Sequence, residues 1–302
     1  MWFWLSVAAL LCWSGSDLFS KIGCRDPLDR YSHLMMLMTV GMVMGLHAAF
    51  EIFVGGTEID SGIILSYLPV SALYILSMAI GYLGLRYIEL SISSPICNSS
   101  GAVVAVLIFA TQGLGGLPPA ALCAVALVCV GVTALGIVEA NEDEELRSLR
   151  QDEGNFRYAK SALAIALPII YCLLDALGTF ADTRVLMRLD EDSANVAYEL
   201  TFFVVGIVCG VYALCIKKRR FTFRAEAPKL AAAVFETGGQ LAYIYALSDT
   251  AHAALSAPVI SSYCVLSLLW GRIFLKEKLS KRHYASVAVV IVGIIILGIL
   301  DI

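Results

Sequence analysis

The chain has 302 residues, of which 59% are hydrophobic and only 15% charged, with a net charge of -4 and a mean hydropathy of +0.82. A soluble domain is nearer half apolar and a quarter charged, so this composition excludes a soluble enzyme or binding module. The acidic excess lies in loops between apolar runs and implies no nucleic-acid partner, and nine cysteines without a CxxC imply neither a disulfide framework nor a metal site or other cofactor.

The first apolar segment, residues 1–20, lacks a basic n-region and a small-residue cleavage site, so it is expected to remain as the first span. Similar runs of about twenty apolar residues recur along the chain, enough to cross roughly 30 Å of hydrocarbon as helices. Ten spans are predicted, at 2–22, 31–54, 63–86, 91–111, 117–138, 161–182, 193–215, 228–248, 253–274 and 282–300. All connections are short except 139–160, EANEDEELRSLRQDEGNFRYAK, which is charged and without apolar periodicity. It reads as a cytoplasmic linker between two five-helix units, 1–138 and 161–302. The fold class expected is an all-α polytopic membrane protein.

Basic residues orient the spans. Of 21 lysines and arginines, only Arg184 and Arg188 fall after even-numbered helices, which leaves 19 in or beside the odd-numbered loops. That bias places the odd loops in the cytoplasm and both termini outside the cell membrane. The Lys217–Arg220 run serves as a topology anchor in this reading rather than a lipid or nucleic-acid patch. Five spans followed by five similar spans cross in opposite senses, so the halves are expected to be inverted repeats, an arrangement typical of secondary transporters with a site near mid-membrane. The repeat is visible at an offset of 158: Gly81 with Gly239, and Asp17 with Asp175. Residues 95–99, PICNS, also echo 258–262, PVISS. The fifth and tenth helices carry no ionisable group and suit packing or a homodimer contact.

An ionised side chain at mid-bilayer costs at least roughly 2.5–3.5 kcal/mol, so it is expected to face a cavity or a partner. The candidates are Asp17, His47, Asp175, Glu199 and Glu236. Helical spacing groups Trp13, Asp17 and Lys21 on one face, Tyr171 and Asp175 on a second, and Glu236, Gln240 and Tyr243 on a third. Each has a plainer alternative. Asp17 precedes Lys21 in the favourable i, i+4 order, Glu199 lies near a helix end, and His47 suits a hydrogen-bonded packing role beside Glu51. Glu236 has no basic residue within a turn and is the leading candidate. Four carboxylates and one histidine would make a cavity that attracts cations, and Trp13, Tyr74, Tyr82, Tyr171 and Tyr243 could hold ammonium groups on their ring faces. Because a dry interior favours the neutral form of an acid, Glu236, Asp175, Glu199 and His47 are the expected proton-coupling groups, and Trp13, Asp17, Tyr82, Tyr171, Asp175, Glu236, Gln240 and Tyr243 the expected substrate-binding groups.

Residues 246–262, ALSDTAHAALSAPVISS, and 273–297, IFLKEKLSKRHYASVAVVIVGIIIL, with their first-half echoes, resemble the drug/metabolite transporter superfamily in its ten-helix EamA-like form. Lysines flank Glu277 where the family turn usually has glycine, and Gln112 stands at the first-half equivalent of Glu277. The resemblance implies a central cavity lined by the first four helices of each half, alternating access, and transport of a small molecule, proton-coupled or by exchange. Together with the acidic spans it makes the expected substrate an amine-bearing or cationic metabolite or drug, with export of neutral or zwitterionic metabolites such as amino acids as the alternative. A channel or non-transporting receptor is a lesser alternative. Intramembrane proteolysis is disfavoured, because neither Asp17 nor Asp175 lies in a Gly-x-Gly-Asp context and no Gly-x-Ser-x-Gly occurs.

Overall fold

The computed structural model describes residues 1–24, 26, 29–87, 90–113, 118–140, 162–276 and 279–300, which form helices and connecting turns with no strand among them. The elements are α1 Trp2–Cys24, α2 Ser32–Phe50, α3 Ser61–Gly84, α4 Leu90–Asn98, α5 Ser100–Gln112, α6 Pro119–Ala140, α7 Ala162–Val185, α8 Glu191–Gly210, α9 Phe223–Ser248, α10 Ala253–Ser261, α11 Tyr263–Phe274 and α12 Lys281–Leu300. π-helical turns extend α2 over Glu51–Gly55 and α8 over Val211–Ile216. The expected linker from residue 141 to 160, Arg25, and Glu277 with Lys278 lie outside the described residues.

The sequence pattern accounts for where these helices start and break. Asp60 and Asp190 cap α3 and α8, their carboxylates accepting from the backbone N–H of Ile63 at 2.8 Å and Ser193 at 2.9 Å. The fourth and ninth spans were expected to be continuous, but each is split in two. The breaks fall at Ser99 and Ser262, each four residues after a proline, Pro95 and Pro258, whose carbonyls accept the serine N–H. The matched PICNS and PVISS segments thus carry matched breaks, each one turn after a proline that itself withholds a ladder donor from the turn before it. The sixth span runs three residues past its expected end, to Val185, and the eighth begins five residues earlier, at Phe223.

Nine of the spans among the described residues are long and apolar enough to cross a membrane; α9, which carries Glu226, Lys229 and Glu236, is not among them. Large apolar side chains such as Phe53, Val106, Val208 and Ile299 point outward, as a lipid-facing surface requires. This is a multi-pass membrane protein.

The helices pack in pairs: α1 along α9, α3 along α7, α2 along α8, α6 along α12, α10 against α5 and α11 against α4. Contacts run in opposite senses along the four long pairs. Gly15 meets Phe235 and Gly23 meets Lys229; Tyr67 bonds Asp182, while Gly81 meets Tyr171. Between α2 and α8 Gly41 abuts Gly206 and Gly45 abuts Phe203, and between α6 and α12 Gly131 faces Val290 while Gly293 faces Val128. The loops after the first, third and seventh spans gather at one end, where Arg219 binds Asp29 and Arg86 donates to the carbonyl of Arg30. The loops after the second, sixth and eighth spans gather at the other, where Ser193 donates to the carbonyl of Glu58 and Tyr245 to Asp192. The fifth and tenth spans meet each other inside the chain, which accounts for their apolar faces.

Candidate functional site

A cavity of about 80 Å³ lies between the halves, enclosed by α1, α3, α4, α5, α7, α8, α9, α10 and α11. That is several times the roughly 10–15 Å³ one water needs. All eight residues expected to bind substrate, Trp13, Asp17, Tyr82, Tyr171, Asp175, Glu236, Gln240 and Tyr243, line it, and among the described residues no lysine, arginine or histidine does. Three helices bring the acids together: Asp17 from α1, Asp175 from α7 and Glu236 from α9.

Hydroxyls hold each acid. Asp17 Oδ2 accepts from Ser94 at 2.6 Å and Ser267 at 2.7 Å, Asp175 Oδ2 from Ser100 at 2.7 Å, and Glu236 Oε2 from Ser16 at 2.7 Å. These bonds orient the carboxyls without neutralising them, and each falls on one oxygen of its carboxyl. The i, i+4 pairing of Asp17 with Lys21 gives way to this arrangement, and Lys21 Nζ donates to the carbonyl of Leu85 at 2.9 Å. Ser94 and Ser100 flank the break between α4 and α5, and Ser267 lies in α11, so the interrupted spans deliver the hydroxyls. Four further polar atoms of the wall, Trp13 Nε1, Ser20 Oγ, Tyr82 Oη and Gln240 Nε2, are buried without a hydrogen-bond partner.

The aromatic part of the wall is shaped by glycines. A Cβ on Gly239 would lie 2.4 Å from Trp13, and one on Gly81 would lie 2.8 Å from Tyr171. Position 13 plus 158 is 171, and 81 plus 158 is 239, so the same ring-on-glycine contact occurs once per half. Trp13 also packs on Tyr243, with ring centroids 5.0 Å apart, and on Tyr263 at 5.9 Å.

His47 and Glu199 stand apart. They are absent from the cavity wall and bond each other across α2 and α8 at 2.9 Å, with Glu51 3.7 Å from the other ring nitrogen of His47. The structure therefore does not bring these two expected proton carriers to the remaining acids. A fully buried acid that the sequence reading passed over, Asp182, is bonded by Tyr67 at 2.7 Å just beyond Tyr74, Thr179 and Tyr243 of the wall. The signal for it is its place three residues after Thr179 and seven after Asp175 on α7, at the last position of the span expected to end at residue 182. The hydroxyl partners of the acids carry no comparable signal, since serines occur in nine of the ten predicted spans. Among the described residues no group of three His, Cys, Asp or Glu is placed to hold a metal ion.

Residues 162–299 match the family model described as EamA-like transporter family. No curated protein matches the chain. Among 28 matching solved chains, one described only as "Crystal structure of protein" superimposes with a TM-score of 0.63 at 13% identity, covering 99% of this chain and 96% of its own. The shared architecture thus extends over both halves, and at that identity the likeness concerns fold alone.

Proposed function

We propose that this chain, whose residues 162–299 match the EamA-like transporter family within the drug/metabolite transporter superfamily, is a small-molecule membrane transporter that carries an amine-bearing or cationic organic substrate by alternating access, coupled to protons. The observation that carries the reading is the convergence of Asp17, Asp175 and Glu236 on one cavity whose wall, among the described residues, has no basic residue. A charge of that sign in a low-dielectric cleft concentrates cations and repels anions. The ring faces of Trp13, Tyr171 and Tyr243 can hold an ammonium group after its water is removed. Phosphate-bearing substrates would find no counter-charge.

Alternating access requires two halves that rock about the site, and the reading of residues 1–138 and 161–302 as inverted repeats supplies them. It is supported by the pairing of spans. Exchanging each span for its counterpart five further on turns the first–eighth pair into the sixth–third pair and returns the second–seventh, fourth–ninth and fifth–tenth pairs to themselves. The corresponding helices α2 and α8, like α6 and α12, run antiparallel, as an inversion requires. With the odd loops cytoplasmic, both termini lie outside.

A second reading, a zwitterionic substrate, draws on the unpartnered Tyr82 Oη and Gln240 Nε2, which could bond an acceptor group beside the ammonium. Purified protein in liposomes, given an imposed pH gradient and a panel of radiolabelled amines and amino acids, tests both. Saturable, gradient-driven accumulation of an amine is expected, with the loss of it in Glu236→Gln and in Asp175→Asn. Undiminished gradient-driven flux in both variants refutes the proposal, and accumulation of amino acids in preference to amines selects the zwitterionic reading.

A further inference from the structure

Asp182 lies about 10 Å beyond Asp175 along α7, from seven residues at 1.5 Å each, on the side where the even loops gather. Its side chain is fully buried and is absent from the cavity wall. Tyr67 donates to Oδ1 at 2.7 Å and Tyr74 reaches Oδ2 at 3.4 Å. Tyr74 also contacts Thr179 Oγ1 at 3.0 Å and the hydroxyl of Tyr243, and Tyr243 reaches Thr179 at 3.3 Å. The chain of hydroxyls ends at Tyr243, whose ring packs on Trp13 in the cavity.

Apart from the carboxyl of Asp175, the groups that face Asp182 are hydroxyls and aromatic rings. From α3 they are Tyr67 and Tyr74; from α9, Tyr243; from α8, Tyr198, whose ring stands edge-on to Tyr74 at 6.0 Å. On α7 itself they are Thr179 and, two turns back, Asp175, while Arg184 turns its guanidinium onto the ring of Phe180 at 5.3 Å. From α5, Ser100 is bonded to Asp175 instead. Repeat symmetry does not require the network, for the positions 158 residues from Asp182 and Tyr67 are Cys24 and Ala225.

We propose that Asp182 is the site of the coupled proton, distinct from the cavity acids that take the substrate's charge; the proposal rests on the transport reading above. Tyr74 has one hydroxyl proton and three acceptors within reach, so the proton's position depends on what Asp182 offers. A carboxylate at 182 draws donation from both Tyr67 and Tyr74, and Tyr243 then donates to Tyr74 or Thr179. When one proton from the aqueous phase adds to Oδ2, the acid donates to Tyr74, Tyr74 donates to Tyr243 or Thr179, and the Tyr243 O–H is released toward the cavity. Only O–H bonds form and break, and each oxygen that gains a proton gives one up when the cycle reverses. Protonation of a group that never touches substrate thereby changes the donor pattern of the wall that does.

Two measurements test this. In liposomes, Asp182→Asn should lose pH-gradient-driven accumulation of the amine probe while gradient-free exchange of the same probe persists; retention of gradient-driven accumulation overturns the proposal. Loss of exchange as well would mean that Asp182 serves substrate binding or the fold, which also overturns it. Infrared difference spectra of the purified protein across pH need no substrate, so they separate failure of this proposal from failure of the transport reading. A protonated-carboxyl band absent from Asp182→Asn, with its midpoint displaced in Tyr67→Phe, is expected. Identical spectra in wild type and Tyr67→Phe overturn the assignment even if the asparagine variant does not fold.

Discussion

Replacing Gly239 with alanine should unseat Trp13, and replacing its neighbour Gly238 should not. A Cβ at 239 would lie 2.4 Å from Trp13 Cδ1 and 2.6 Å from Nε1, about 1 Å inside ordinary contact, whereas one at 238 would meet only Cys12 Sγ at 3.7 Å. The indole cannot slide away freely, because Tyr243 and Tyr263 pack against it at centroid distances of 5.0 and 5.9 Å. Overpacking of this kind costs about 1–3 kcal/mol, while alanine in a helix gains about 0.8–1 kcal/mol over glycine. Gly238→Ala should therefore be slightly stabilising and Gly239→Ala should cost up to about 2 kcal/mol. At about 2–4 °C per kcal/mol, the two variants should melt roughly 2–10 °C apart in the same detergent. Gly239→Ala should also weaken retention of any ligand that stabilises the wild type, since the displaced ring belongs to the cavity wall. Equal melting temperatures for the two variants would refute the seating of Trp13 on Gly239, and with it the argument that glycines shape the site.

Other outcomes follow from groups outside the cavity. His47→Ala leaves the fully buried Glu199 without its bonded partner, which should cost about 3–5 kcal/mol if the acid stays charged; melting should fall, while gradient-driven transport by the folded fraction persists. Arg219 joins Asp29 at 2.5 Å and Glu226 at 2.6 Å, so Arg219→Ala should separate the α1–α2 and α8–α9 connections and lower stability measurably, less so at high salt. Partial burial alone would raise the Asp29 pKa, but the bonds and charge of Arg219 outweigh it and hold the carboxyl below its usual range. A lowered folded-state pKa contributes stability above the unfolded value, near 3.9, which is lost as pH falls through the folded value. Melting of the wild type should thus decline over that acid limb more steeply than melting of Arg219→Ala, and parallel profiles would count against the pair.

The spans were legible because each must hide its own backbone in lipid as a helix, and a run of apolar residues is the local record of that demand. The breaks at Ser99 and Ser262 were half legible: the paired prolines were visible as a repeat, but whether a proline bends a helix or interrupts it depends on what receives the freed groups. His47 and Glu199 looked like members of the acidic set because sequence records depth along a helix and not azimuth between helices. Asp182 was hidden by three residues of helix beyond its expected end, a boundary no periodicity marks.

What the chain's residues decided by themselves was the class of protein, its series of apolar membrane-length helices and the likeness of position 17 to 175 and of 81 to 239, since hydropathy and internal similarity are properties of the one-dimensional string. What tertiary structure decided was which acids share a space, which hydroxyls hold them and which acid stands behind a screen of tyrosines. Those depend on how α1, α7 and α9 are rotated against their partners, and that rotation is set by glycines and rings that meet only once the two halves have packed.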